Sequence, residues 1–269
     1  MLQREVFPKY RDYVRELNMV YDTMKNYFSP TSFEDLCRDR GYPIGETCQY
    51  DLIKQMNLGY FETPDNDIFK EVSPELGLYS QKGKLLLNGR YIIPVYSVSG
   101  DLVSLIGYYP DSRKYITLST PFFSKICMWF NFNQAYQLSY ERYNGFVIAV
   151  EGIFDCLSLR AVGLPCIATM GASVSEIKGE LLKLFTKVLA IPDDDTTGRQ
   201  ALNRYGKKGW RVPCNTTMLK FKGGLVEIGS NKLHCKDMDN FVTWYEADDV
   251  RETLLSYISC KEEIEELIL

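Results

Sequence analysis

The sequence predicts an α/β protein: an N-terminal α+β subdomain, then a central mostly parallel sheet flanked by helices, and a C-terminal helix. Three observations carry that expectation. The apolar runs GFVIAVEG (145–152), LPCIATMG (164–171) and FTKVLAIPD (185–193) are short and β-rich, and each ends in glycine or an acid. Helical segments, IFDCLSLRAV and SVSEIKGELLKLF, separate them, and strands alternating with helices wind a parallel sheet. The 269 residues are 45% hydrophobic and 25% charged, enough for one or two sizeable cores and against disorder.

Taken in order, residues 9–27 place Tyr10, Val14, Leu17, Tyr21 and Met24 three or four apart, so that they share one face of an amphipathic helix. A second helix is expected over about 31–40, with Ser32 as its N-cap and Gly41 as its stop. From 84 to 109, strong β-formers broken by Asn-Gly at 88–89 and Ser-Gly at 99–100 predict a small antiparallel meander. Residues 111–133 are loop-rich and hold lysines and aromatics, and the α/β rhythm begins at 145. After 245, DDVRETLLSYISCKEEIEELIL reads as a closing helix. The expected division is a helical extension (1–30), an α+β subdomain (31–144), an α/β domain (145–245) and a C-terminal helix (246–269).

Composition excludes several classes. A net charge of −4 does not advertise a polyanion partner, although a local basic groove is compatible with it. No two of the eight cysteines share Cys-x-x-Cys spacing, so neither a zinc ribbon nor a redox dithiol is expected. His234 is the one histidine, which excludes the His-Glu-x-x-His motif. No apolar run approaches the roughly eighteen residues of a membrane helix, and the N-terminus has no apolar secretion segment. A cytoplasmic protein with no membrane partner is the expectation.

In open parallel sheets, ligands sit outside the carboxyl ends of the strands. Glu151, Gly171 and Asp193 to Asp195 all fall there and are expected to share one crevice. Asp193 and Asp195, two apart on an extended segment, point the same way, and Asp194 points elsewhere. Carboxylates are the oxygen donors that hard cations such as Mg²⁺ prefer. The plainer account is that acids after a strand cap and solvate the next helix. That account weakens because Glu151-Gly152 ends an earlier strand of the same sheet and Asp237-Met238-Asp239 follows a later one.

The set EGIFD (151–155), ATMGAS (168–173), DDDTTGR (193–199) and KDMDNFV (236–242) resembles the Toprim fold, most closely that of bacterial DnaG-type DNA primases. The likeness continues upstream, through residues 32–64, RYIIPVYSVSGDLVSLIGY (90–108) and KYITLSTPFFSKICMWFNFNQA (114–135). It covers about 28–250, the RNA-polymerase core of that family. By this resemblance Glu151, Asp193 and Asp195 are catalytic acids that hold Mg²⁺ or Mn²⁺, joined as metal ligands by Asp237 and Asp239. Asp155 matches a supporting acidic position. Lys114, Lys125, Gly171 and Arg199 match positions that contact nucleotide or nucleic acid.

The implied activity is synthesis of short RNA primers on single-stranded DNA from ribonucleoside triphosphates. Aromatics interleaved with Lys114 and Lys125, namely Tyr108, Tyr109, Tyr115, Phe122, Phe123, Trp129 and Phe130, are candidates for stacking on a single strand, against the default of core burial. Two departures stand out: Tyr108-Tyr109-Pro110 replaces the family's Gly-Gly-Arg, and Thr196-Thr197-Gly198 replaces x-Ala-Gly. No cysteine precedes residue 31 to build the family's zinc ribbon, and few residues follow 250. A replicative helicase or a separate template-recognition protein is therefore an expected partner, in a system of phage or plasmid type. Two other readings stay open: a Toprim nuclease, and a degenerate primase-like protein that only binds nucleic acid or a partner.

Overall fold

The computed structural model describes residues 2–29, 31–42, 56–171, 173–193, 213, 215–221, 225–228, 231–234, 237–256 and 264–267. The chain divides into two compact units, one of residues 1–40 and 53–123, the other of 41–52 and 124–269. The division thus falls at 123/124, not at 144/145. The first helix belongs inside the first unit and is no separate extension.

In the first unit, helix α1 (Leu2–Lys25) lies on an antiparallel sheet of β1 (Gly59–Phe61), β2 (Arg90–Tyr96), β3 (Leu102–Tyr109) and β4 (Lys114–Thr117), in that order. The periodicity of α1 is realised: Leu17, Val20, Tyr21 and Met24 are buried with Phe61, Leu87, Ile92 and Leu105. A fully buried side chain of this size contributes about 1.5–3 kcal/mol, so this face holds the helix down. Helix α2 (Ser32–Arg40) starts at Ser32 itself, the residue expected to cap it from outside. Ser32 lies in the first turn and its hydroxyl donates to the Ser29 carbonyl, while Gly41 ends the helix at φ +70°. The glycines expected to break the meander take positive φ, +68° at Gly89 and +90° at Gly100.

In the second unit, α3 (Phe132–Arg142) leads to β5 (Phe146–Val150), α4 (Ile153–Ala161), β6 (Cys166–Ala168), α5 (Glu176–Leu182) and β7 (Lys187–Ile191). Next come β8 (Thr216–Phe221), the hairpin β9 (Leu225–Ile228) and β10 (Asn231–His234), α6 (Met238–Trp244), α7 (Ala247–Ser256) and β11 (Ile264–Leu267). The sheet runs β11-β8-β7-β5-β6, and every pairing in it is parallel. Val147, Ala149, Val188 and Ala190 form one core with Trp129, Phe132 and Leu182. Their neighbours Ile148, Val150, Leu189 and Ile191 are buried as well, so both faces are covered, as a parallel sheet requires. Of the helix expected over 246–269, Ala247–Ser256 is helical, whereas Ile264–Leu267 pairs with β8 as an edge strand. Backbone pairing with an existing strand outweighs the helix preference of a Glu-rich segment.

Candidate active site

Strand register sets the acids side by side. Val150 pairs with Ile191 and with Ala168, so Glu151 and Thr169 are the first residues past the ends of β5 and β6, and Asp193 follows two residues after Ile191. The turn after β6 clings to the Glu151 main chain. Thr169 N–H donates to the Val150 carbonyl at 3.0 Å, and Met170 N–H donates to the Glu151 carbonyl at 3.1 Å. Met170 reaches that bond with φ +58°, a conformation uncommon for a non-glycine residue. Gly171 follows with open space where a Cβ would lie. Of the Glu151 carboxylate, Oε2 is shielded from solvent.

Asp155 ties this strand end to α6. Its Oδ2 accepts from Gly152 N–H at 3.0 Å and its Oδ1 accepts from Asp239 N–H at 2.9 Å. The first bond is half of a capping box closing α4, and a Cβ at Gly152 would collide with Asp155 Oδ2. Asp237 is the N-cap of α6, where its Oδ1 accepts from Asn240 N–H at 2.9 Å. Asp239 is buried, and its carbonyl accepts from Thr243 Oγ1 at 2.7 Å.

Burial, then the nearby charge of Asp237 and that of Asp239, push the Asp155 carboxyl up to about 7, against the pull of its two backbone N–H donors. Acids crowded so closely repel one another, which a divalent cation would relieve, and oxygen donors of this kind suit Mg²⁺ or Mn²⁺. Among the described residues, no three such side chains converge on one point. Asp194, Asp195 and Arg199 lie outside the described residues.

The basic candidates are spread out: exposed Lys114 opens β4 in the first unit, and exposed Lys125 sits in a turn of the second. Tyr109 and Tyr115 are exposed, whereas Tyr108, Trp129 and Phe130 are core residues. Sequence reasoning passed over Lys178, a fully buried lysine in the first turn of α5. Its sole sequence signal is a lysine at a position two residues after polar Glu176, where nothing marks it as inward-facing.

Residues 148–241 match the family described as Toprim-like. The DNA primase of Thermotoga maritima is 25% identical over 205 residues, which cover 71% of this chain and 36% of that protein. The chain spans between 23% and 36% of the length of the curated relatives it matches, all of them DNA primases. A solved DnaG catalytic core superposes with a TM-score of 0.66 at 16% identity, covering 92% of this chain and 83% of the other. The zinc-binding and RNA-polymerase domains of Aquifex aeolicus primase superpose with a TM-score of 0.64 at 22% identity, covering 87% and 59% respectively. The chain therefore has the fold of the primase catalytic cores, with a Toprim-like segment in its second unit.

Proposed function

We propose that this chain is the primer-synthesising core of a DNA primase, joining ribonucleotides on a single-stranded DNA template. The observation that carries the reading is the placement of acids past the carboxyl ends of adjacent parallel strands, Glu151 after β5 and Asp193 after β7, in a fold shared with primase catalytic cores. One such solved neighbour, a DnaG primase catalytic domain, is bound to single-stranded DNA, which supports the choice of template.

In this reading Glu151, Asp193 and Asp195 hold Mg²⁺ or Mn²⁺, with Asp237 and Asp239 adding negative charge nearby. A divalent ion held there would supply Lewis-acid chemistry, lowering the pKa of a 3′-hydroxyl and neutralising triphosphate charge. The hydroxyl oxygen then bonds to the α-phosphorus of the incoming nucleotide, its proton leaves, and the bond to the β-phosphate oxygen breaks to release pyrophosphate. Paired carboxylates suffice for this, and no nucleophilic side chain is needed. The chain's own work is positional: Asp155 locks β5 to α6, and the open space at Gly171 leaves room for a phosphate. Lys114, Lys125 and Arg199 supply cations for nucleotide or template backbone.

Among the described residues, no helix is long and apolar enough to cross a membrane, and an intracellular setting follows from the primase reading. A replicative helicase or template-recognition protein is the proposed further partner. The decisive assay incubates the protein with single-stranded DNA, labelled ribonucleotides and Mg²⁺ or Mn²⁺. Short RNA products that Asp193→Ala abolishes support the reading. Nicked DNA without synthesis would shift it to a nuclease, and binding without either product to a non-catalytic relative.

A further inference from the structure

Lys178 is an anomaly in the second unit: a lysine 1% exposed to solvent, on the helix whose Leu182 shares a core with Trp129. Burying an ammonium is costly unless it is paired, and among the described residues no carboxylate faces it. Desolvation accordingly lowers its pKa to about 8, opposed by Cys127. Its Nζ donates to the Thr169 carbonyl at 2.5 Å and lies 5.4 Å from the centre of the Trp129 ring. Trp129 Nε1–H in turn donates to the Lys178 carbonyl at 3.1 Å, so the indole seats both ends of the residue.

The acceptor explains why the charge is kept. Thr169 begins the turn that grips Glu151: its hydroxyl donates within the turn to the Gly171 carbonyl, and the Met170 N–H donates to the Glu151 carbonyl at 3.1 Å. That turn carries the positive φ of Met170, a conformation that persists only when its surroundings hold it. A buried cation on the Thr169 carbonyl is such a hold, stronger than a neutral donor would be.

We propose that Lys178 is a positioning residue, a charged clamp on the Thr169–Gly171 turn that fixes the Glu151 main chain and so aims its carboxylate at a divalent cation. The inference rests on the proposed role of Glu151 as a ligand. Residues that orient a metal ligand typically change affinity by about 10–100-fold when removed.

The test is a Mn²⁺ titration followed by electron paramagnetic resonance, with melting temperatures taken in parallel, on wild type, Lys178→Met, Lys178→Arg and Glu151→Gln. Lys178→Met is expected to weaken Mn²⁺ binding about tenfold without lowering the melting temperature, because the variant also removes a buried charge. Lys178→Arg, which keeps a cation and N–H donors, is expected to recover most of the loss. Wild-type affinity in Lys178→Met overturns the clamp while leaving the metal site standing, provided Glu151→Gln weakens binding. A loss that follows a lowered melting temperature, with no recovery in Lys178→Arg, reduces Lys178 to a packing residue and also overturns it. No Mn²⁺ binding in the wild type brings down the metal reading and the clamp together. Should Lys178→Met not fold, Trp129→Phe loosens the same seat. A weakening of about threefold then supports the clamp, and unchanged affinity overturns it.

Discussion

The antiparallel sheet of the first unit and the parallel sheet of the second collect their polar chemistry in different places. In the first, neighbouring strands run in opposite senses, so their carboxyl ends alternate between two edges. What lines up is a row across the strands: Tyr60 pairs with Tyr91, Tyr91 with Tyr108, and Tyr108 with Tyr115. Rings at the two ends of the row meet at 5.3 Å (Tyr60 and Tyr91) and 5.4 Å (Tyr108 and Tyr115). Burial, with the charges of Asp35 and Asp39 nearby, pushes the Tyr91 phenol up to about 12, so that phenol is neutral at any physiological pH. In the parallel sheet every carboxyl end faces one edge, and residues as far apart in sequence as Glu151, Thr169 and Asp193 come to it together. Rows stabilise a sheet, and edges of parallel sheets bind ligands.

That contrast is sharpest where activity and stability separate. Asp193→Ala should lower primer synthesis by about a thousandfold, roughly 4 kcal/mol in the barrier, with little change in melting temperature. Loss of fold in parallel with activity would place Asp193 in the scaffold. Tyr108→Ala should do the reverse: its side chain is 1% exposed in the middle of the row, and truncation should cost about 3 kcal/mol in chemical denaturation. Residual activity in the folded fraction should stay near wild type.

Asp155→Asn falls between the two regions' behaviours. It puts an amide N–H where a carboxyl oxygen accepts from a backbone donor, an expected loss of about 1 kcal/mol at pH 4. The Asp155 pKa is raised from 3.8 to about 7, so the stability it adds is complete below 3.8 and is lost as pH rises through 7. The deficit of Asp155→Asn should therefore narrow as pH rises from about 4 to 7, read from melting temperature against pH. A deficit that widens would mean that the two N–H bonds outweigh burial. Smallest are Tyr115→Ala, 46% exposed at the row's end, which should cost under about 0.5 kcal/mol, and Asp194→Asn, which should leave synthesis within about threefold. A severe Asp194→Asn alongside a mild Asp195→Asn would reverse the assignment within the aspartate run.

The strands of the parallel sheet were legible because burial on both faces leaves uninterrupted apolar runs, and α1 because one buried face leaves a three-to-four-residue rhythm. The final strand was not. Glu265 and Glu266 read as a solvated helix until β8 offers a free edge at Met218–Phe221, and nothing local announces that edge. The unit boundary was missed for a related reason. Residues 124–133 look like a loop, yet Phe130 forms a bridge with Ala168 and Trp129 packs into the second core, so they belong with the later strands. Asp155 drew notice only through motif likeness, since a capping carboxylate and one that also receives Asp239 N–H are identical in sequence.

By itself, then, the sequence determined the elements, their class and the acids that end the strands, because apolar periodicity and turn chemistry act over a few residues. Only the tertiary structure decided which acids share an edge, that Asp155 joins β5 to α6, and that Lys178 faces inward to hold the turn beside Glu151. Those depend on strand register and on burial by residues tens of positions away, which raise or lower the cost of a charge without leaving a local trace.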